Sequence, residues 1–120
     1  MKNDQTMEQL NQIKLRGNTG SNIYLNNVGD RRVIHFSVAT NIAYTASDGS
    51  SLIDTCWLNV TAWDREGMPD FELIQKGIGV EVTGRIRNYK YTAADGSEKN
   101  NFEVIANSLT LINEPLSPQL

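Results

Sequence analysis

The run Thr55-Cys56-Trp57-Leu58-Asn59-Val60-Thr61-Ala62-Trp63 and the later run Val80-Glu81-Val82-Thr83-Gly84-Arg85-Ile86-Arg87-Asn88-Tyr89-Lys90-Tyr91-Thr92 decide the fold. Both alternate with period two, the pattern of a strand that buries one face. In the first run Cys56, Leu58, Val60 and Ala62 form the apolar set and are predicted to face an interior. Trp57, Asn59, Thr61 and Trp63 then point outward. In the second run Val80, Val82 and Ile86 are the inward set, with Gly84 where the strand can bend. Between the two, Pro69, Asp70 and Glu72 favour a helix start, Phe71 and Ile74 share a face, and Lys76-Gly77 is a stop signal. The expected helix is short, about two turns.

Working outward, residues 12–17 alternate Ile13 and Leu15 with Lys14 and Arg16 and give a first strand. Residues 17–30 are rich in Gly and Asn and read as irregular, although Ile23, Tyr24 and Leu25 need something to pack on. Residues 32–41 form a second strand with Ile34, Phe36 and Val38 on one face; 55–63 is the third, 80–92 the fourth and 101–111 the fifth. Asp48-Gly49 and Asp95-Gly96 sit in similar loops, and Asp-Gly supplies the backbone angles of tight hairpins. Five strands with a helix between the third and fourth is the chain order of an all-β, five-stranded OB-fold Greek-key barrel.

The 120 residues suffice for one domain. The barrel is expected over residues 10–112, with a polar N-terminal extension at 1–9 and a short tail at 113–120. With 39% apolar and 21% charged residues, the composition is that of a globular chain and not a disordered one. No apolar run nears the roughly 20 residues that span a bilayer. The opening Met1-Lys2-Asn3-Asp4-Gln5-Thr6 lacks the apolar stretch of a secretory signal, so the expected location is cytoplasmic. One cysteine, Cys56, and one histidine, His35, permit neither an internal disulfide nor a four-ligand zinc site, and no cofactor is expected. The formal charge is −3; between Lys14 and Ile112 ten Lys/Arg stand against eleven Asp/Glu. Attraction to an anion would have to come from where charges are placed.

The outward faces supply that placement. On the fourth strand Arg85, Arg87, Tyr89 and Tyr91 alternate on one face, beside Trp57 and Trp63 of the third. Cations can track phosphates while rings offer planes to unpaired bases. A single outward Trp more often buries at a subunit interface, but four rings beside two arginines favour stacking on nucleic acid. Tyr44, entering the other Asp-Gly arm, is a further platform. His35 reads as a satisfied surface or interface histidine, Cys56 as a small core residue, and Asp64-Arg65-Glu66 as a solvated turn. No nucleophile, base and orienting group converge, so the chain is not expected to be an enzyme.

The segments 10–18, Phe36-Ser37-Val38-Ala39-Thr40-Asn41, Trp57 to Trp63, and Lys76-Gly77 with Val80 to Arg87 together resemble the bacterial single-stranded DNA-binding protein family, the homotetrameric OB-fold type. The similarity spans about residues 10–112. The resemblance implies stacking at Tyr44, Trp57, Trp63 and Tyr91 and phosphate contacts at Arg65, Lys76, Arg87 and Lys90, to which face alternation adds Tyr89 and Arg85. It also implies a homotetramer, a dimer of dimers paired through the first strand, that protects single-stranded DNA in replication, recombination or repair. Tyr44 and Tyr91 stand where the family more often has tryptophan, and Leu58-Asn59 where it tends to carry His-Arg. The ending Asn113-Glu114-Pro115-Leu116-Ser117-Pro118-Gln119-Leu120 lacks the family's acidic tip, so recruitment of replication proteins by that route is not expected. The competing reading is an OB-fold protein-interaction module, such as a primosome or conjugation accessory, using the same aromatic face.

Overall fold

The computed structural model describes residues 5–120, so the first four residues of the N-terminal extension lie outside it. Six strands form: β1 (Ile13–Thr19), β2 (Tyr24–Val28), β3 (Arg31–Thr45), β4 (Ser51–Trp63), β5 (Gly79–Thr92) and β6 (Glu98–Ile112). Their order is β1-β5-β6-β4-β3-β2, and β1 also pairs with β3 at Asn18↔Ala39 and Thr19↔Val38. That last pairing closes the five expected strands into the OB-fold barrel. The β4–β6 contact is parallel, Val60 opposite Val104, and the other pairings are antiparallel.

The interior is filled by Ile34, Phe36 and Val38 of β3, Val60 and Ala62 of β4, Val80 and Val82 of β5, and Val104, Ala106 and Leu109 of β6, with Leu15 of β1. Phe71 and Ile74 join the same cluster. They come from the interval predicted to be helical, where the structure corrects the expectation. The helix is a single 3-10 turn, Phe71–Leu73, capped by Asp70, whose carboxylate accepts from the Glu72 amide at 3.1 Å. Two apolar anchors four residues or fewer apart need only one turn to reach the barrel, and the chain then straightens toward β5. Thr19 fastens that segment: its hydroxyl donates to the Gln75 carbonyl and accepts from the Ile78 amide, and its backbone bonds Gly77 and Ile78.

A second correction concerns residues 17–30. Tyr24–Val28 is a strand, paired with Arg31–His35 through a tight turn at Gly29. Its low β propensity is overridden by pairing to the edge of β3, and all five of its residues remain exposed. A third concerns Cys56 and Ile86. Both have the parity of core residues, yet both are exposed. The β3–β4 and β5–β6 ladders continue past the last buried side chains into two free hairpin arms with solvent on both faces. Alternation correctly sorts faces there, but no interior lies behind them.

The arms end in the Asp-Gly turns, with Gly49 at φ 89° and Gly96 at φ 84°. In each turn a carboxylate accepts from a serine hydroxyl at 2.6 Å and from the same serine's amide. These bonds from Ser50 and Ser97 hold the Asp48 and Asp95 carboxyls below their ordinary value. A lowered folded value means the contribution to stability is complete above the ordinary carboxylate range. It fades only as pH falls through the lowered value. Residues 113–119 fold back over β1, and Gln119 bridges β3 through the Asn41 carbonyl and the Ala43 amide.

Gly84 marks where β5 leaves the barrel. Thr83 pairs with Ser108 but Gly84 with Ala106, so Asn107 is bulged out of β6, and a Cβ on Gly84 would collide with the Ile105 backbone carbonyl. Gly84→Ala is expected to destabilise the fold by about 2–4 kcal/mol. The check is a lowered urea midpoint at unchanged slope.

Candidate nucleic-acid interface

The outward face of β4 is set by its register with β3. Trp57 lies opposite Ala39, Asn59 opposite Ser37, Thr61 opposite His35 and Trp63 opposite Val33. Trp57 is 58% exposed. Its ring rests over Gly20, where a Cβ would come within 2.8 Å of the ring edge and 2.6 Å of the Ser37 hydroxyl. The absence of a side chain at Gly20 is therefore what allows the edge of this ring to approach the backbone so closely. Trp63 is half-buried, and the Arg31 guanidinium sits 5.0 Å from its ring centroid, within cation–π range.

β5 does not lie beside β4, as the grouping of their rings in the sequence implied; β6 runs between them. The β5 set still reaches the same place because the β5–β6 arm rises from the barrel next to Trp63. Trp63, Arg85, Arg87 and Tyr89 line one open groove of about 560 Å³, together with His35, Thr61, Glu103 and Ile105. Tyr91 continues the row, 44% exposed, its ring centroid 6.3 Å from that of Tyr89 and tilted by 42°. Two residues per ring along one face of a strand produce such a ladder.

The remaining residues fall outside this groove. Tyr44 is 49% exposed and pairs with Leu52, on the opposite face of the β3–β4 ladder from Trp57. Lys90 has the parity of Ile86 and Asn88, opposite to Tyr89 and Tyr91. Arg65 donates to the Asn107 carbonyl at the bulge, and Lys76 is exposed in the loop before β5.

The groove floor holds a polar chain that the sequence reading missed. Glu103 on β6 accepts from Arg87 at 2.5 Å and from the Thr61 hydroxyl at 2.9 Å, and Thr61 Oγ1 lies 2.9 Å from His35 Nδ1. The Glu103 side chain is only 11% exposed. Glu103 was not singled out because no face was assigned to residues 101–111, and Arg31 because it falls just before the strand expected at 32–41. Splitting residues 98–112 by parity places Glu103 and Ile105 outward and would have found the acid. This chain is not a catalytic triad: Thr61 is 5% exposed and gives its proton to the carboxylate, so it presents no nucleophile. Among the described residues, no three His, Cys, Asp or Glu side chains are grouped to hold a metal. Among the same residues, no helix is long and apolar enough to cross a membrane.

A closed barrel with paired arms and a ring-and-arginine groove on its face defines an OB-fold module. The chain belongs to the single-strand binding protein family, whose model matches residues 10–112. It is 30% identical over 80 residues to the single-stranded DNA-binding protein of Neisseria meningitidis serogroup A, covering 67% of this chain and 46% of that protein. It is 26% identical over 110 residues to single-stranded DNA-binding protein 2 of Chlorobaculum tepidum, covering 90% of this chain and 74% of that one. The chain thus spans under half the length of the Neisseria relative. Among solved structures, the Plasmodium falciparum SSB complex with ssDNA superposes with a TM-score of 0.73 at 26% identity, covering 89% of this chain and 96% of that one.

Gly20→Ala tests the seat of Trp57. A methyl there pushes the ring outward at a stability cost of about 1–2 kcal/mol. In a Trp63→Phe background, acrylamide should then quench Trp57 more efficiently while the thermal transition stays cooperative. Unchanged quenching would contradict the contact.

Proposed function

We propose that the chain binds single-stranded DNA with little sequence preference, protecting it in replication, recombination or repair. The observation that carries this is the convergence of Trp63, Tyr89, Arg85 and Arg87 in one open groove, with Trp57 and Tyr91 exposed farther along the same strands. Every base has a π face, so rings held on a rigid barrel bind without reading identity. Trp57, Trp63, Tyr89 and Tyr91 are the stacking platforms, and Arg85 and Arg87 the phosphate contacts nearest them. Arg65, Lys76 and Lys90 act at the periphery on a strand that leaves the groove, and Tyr44 on one that follows the β3–β4 arm. The names of the Neisseria and Chlorobaculum relatives, and the single-stranded DNA in the Plasmodium complex, support this reading. The family resemblance supports a homotetramer and a cytoplasmic, nucleoid-associated location.

The charge pattern makes the binding mode specific. Arg87 is already paired with Glu103, and the chain carries −3, so few phosphates are neutralised. Oligo-dT is expected to quench tryptophan fluorescence strongly. The logarithm of affinity should fall with that of salt at a slope of about −1.4 to −2.1, the value for two or three phosphate contacts on a single strand. Saturating oligo-dT without quenching at low salt would sink the proposal.

Stacking survives salt and ion pairing does not. In 0.5 M NaCl (roughly a 4 Å screening length), Trp57→Ala should cost about 1–3 kcal/mol of binding and Lys90→Ala a few tenths at most. Titration of a dye-labelled oligo-dT by anisotropy measures both. Equal losses would remove the primacy given to the rings.

A further inference from the structure

We propose that His35 is a proton-dependent contact of the groove, which gains a second N–H toward a bound phosphate when its imidazole is protonated; this rests on the single-stranded DNA reading above. The hydrogen-bond directions fix which nitrogen titrates. A carboxylate only accepts, so the one Thr61 hydroxyl proton goes to Glu103, and Thr61 can only accept from His35. Nδ1 therefore carries a proton whether the ring is neutral or charged. The added proton goes to Nε2, for which no partner is seen among the described residues.

The surroundings set the sign. From β2, His35 faces Tyr24, its cross-strand partner; from β4, Thr61; from β5, Arg85, Arg87 and Tyr89; from β6, Glu103. Glu103 is the one carboxylate of this set, and Arg85 and Arg87 are its two cations. A phosphate entering the groove offsets the arginine charge and adds an acceptor, so DNA stabilises the protonated ring. By linkage, DNA binding takes up a proton, and affinity rises as pH falls through the imidazole range. Thr61 and Glu103 hold the ring and Arg87 in place together, so protonation changes charge without rearranging the groove.

The chain has one histidine, which makes the test unusually clean. Imidazole is the side-chain type whose ordinary titration falls between pH 5 and 8. Affinity for oligo-dT, whose bases do not titrate in this range, is measured on the untagged chain from pH 6.0 to 8.0 at fixed ionic strength. The wild type should bind up to about ten-fold tighter at pH 6.0 than at pH 8.0, which corresponds to one group shifted by about one pKa unit. His35→Gln should be flat across the same pH range. In parallel, the single imidazole Cε1–H proton resonance of the wild type should titrate, with its midpoint moved upward by bound oligo-dT. That NMR measurement carries the test alone if His35→Gln does not fold. A slope retained in His35→Gln, a flat wild type, or a midpoint unmoved or lowered by DNA would each overturn the role of His35 and leave single-stranded DNA binding standing. No binding at any pH would overturn both.

Discussion

Everything distinctive about this molecule follows from strand pairing that outruns its core. The β3–β4 ladder runs unbroken from Val33↔Trp63 to Thr45↔Ser51, and the β5–β6 ladder runs to Thr92↔Glu98. Buried side chains stop at Val38 and Val60 on one ladder and near Gly84 and Val104 on the other. Beyond those points backbone hydrogen bonds, the Asp-Gly turns and cross-strand side-chain pairs such as Arg87–Glu103 and Thr55–Asn41 keep the strands together, each backbone bond contributing about 1 kcal/mol net. Side chains on the arms are thereby released from packing duty. Tyr89 and Tyr91 can be held in a fixed ladder without being consumed by an interior.

The same constraint explains what was legible in the sequence. Period-two alternation reports face, and it placed Val60, Ala62, Val80 and Val82 inside and Trp57 and Trp63 outside. It carries no information on whether a core stands behind a face, so Cys56 and Ile86 read as buried when they lie past the end of the barrel. β2 escaped notice because its strand character comes from the edge it joins, and Tyr-Leu-Asn-Asn-Val has little of its own. The helix was overestimated because capping and stop signals look alike for one turn and for two. The groove was only half legible. Its aromatic and cationic side came from β4 and β5, while its floor, Glu103 and Ile105, comes from the strand that topology inserts between them.

That inserted strand changes the electrostatic meaning of the site. A single nearly buried carboxylate in a groove proposed to take an anion is unfavourable if only charge is counted. Glu103 is tolerated because Arg87 and Thr61 both donate to it, leaving the carboxylate compensated. Arg87 in return loses rotamer freedom. A free surface arginine samples many conformations and must be ordered on binding, at about 0.5–1.5 kcal/mol per side chain. Tethering exchanges part of its attraction to phosphate for a guanidinium already in place.

Arg31 on Trp63 follows the same logic by a different force. Its guanidinium, 5.0 Å above the ring, fixes one face of the indole and leaves a cation at the groove end. Trp57 is fixed in turn by the bare backbone of Gly20. Trp63, Arg87 and Trp57 thus each have a contact in place before any ligand arrives, with a cation, an acid and a bare glycine backbone respectively. A chain of net charge −3 has little long-range pull on a polyanion. Preorganisation lowers the entropy cost of contact instead, and it acts only at short range. In the function proposed here, such a site would gain little from steering and lose little to salt, and its selectivity for unpaired strands would rest on whether bases are free to meet the rings.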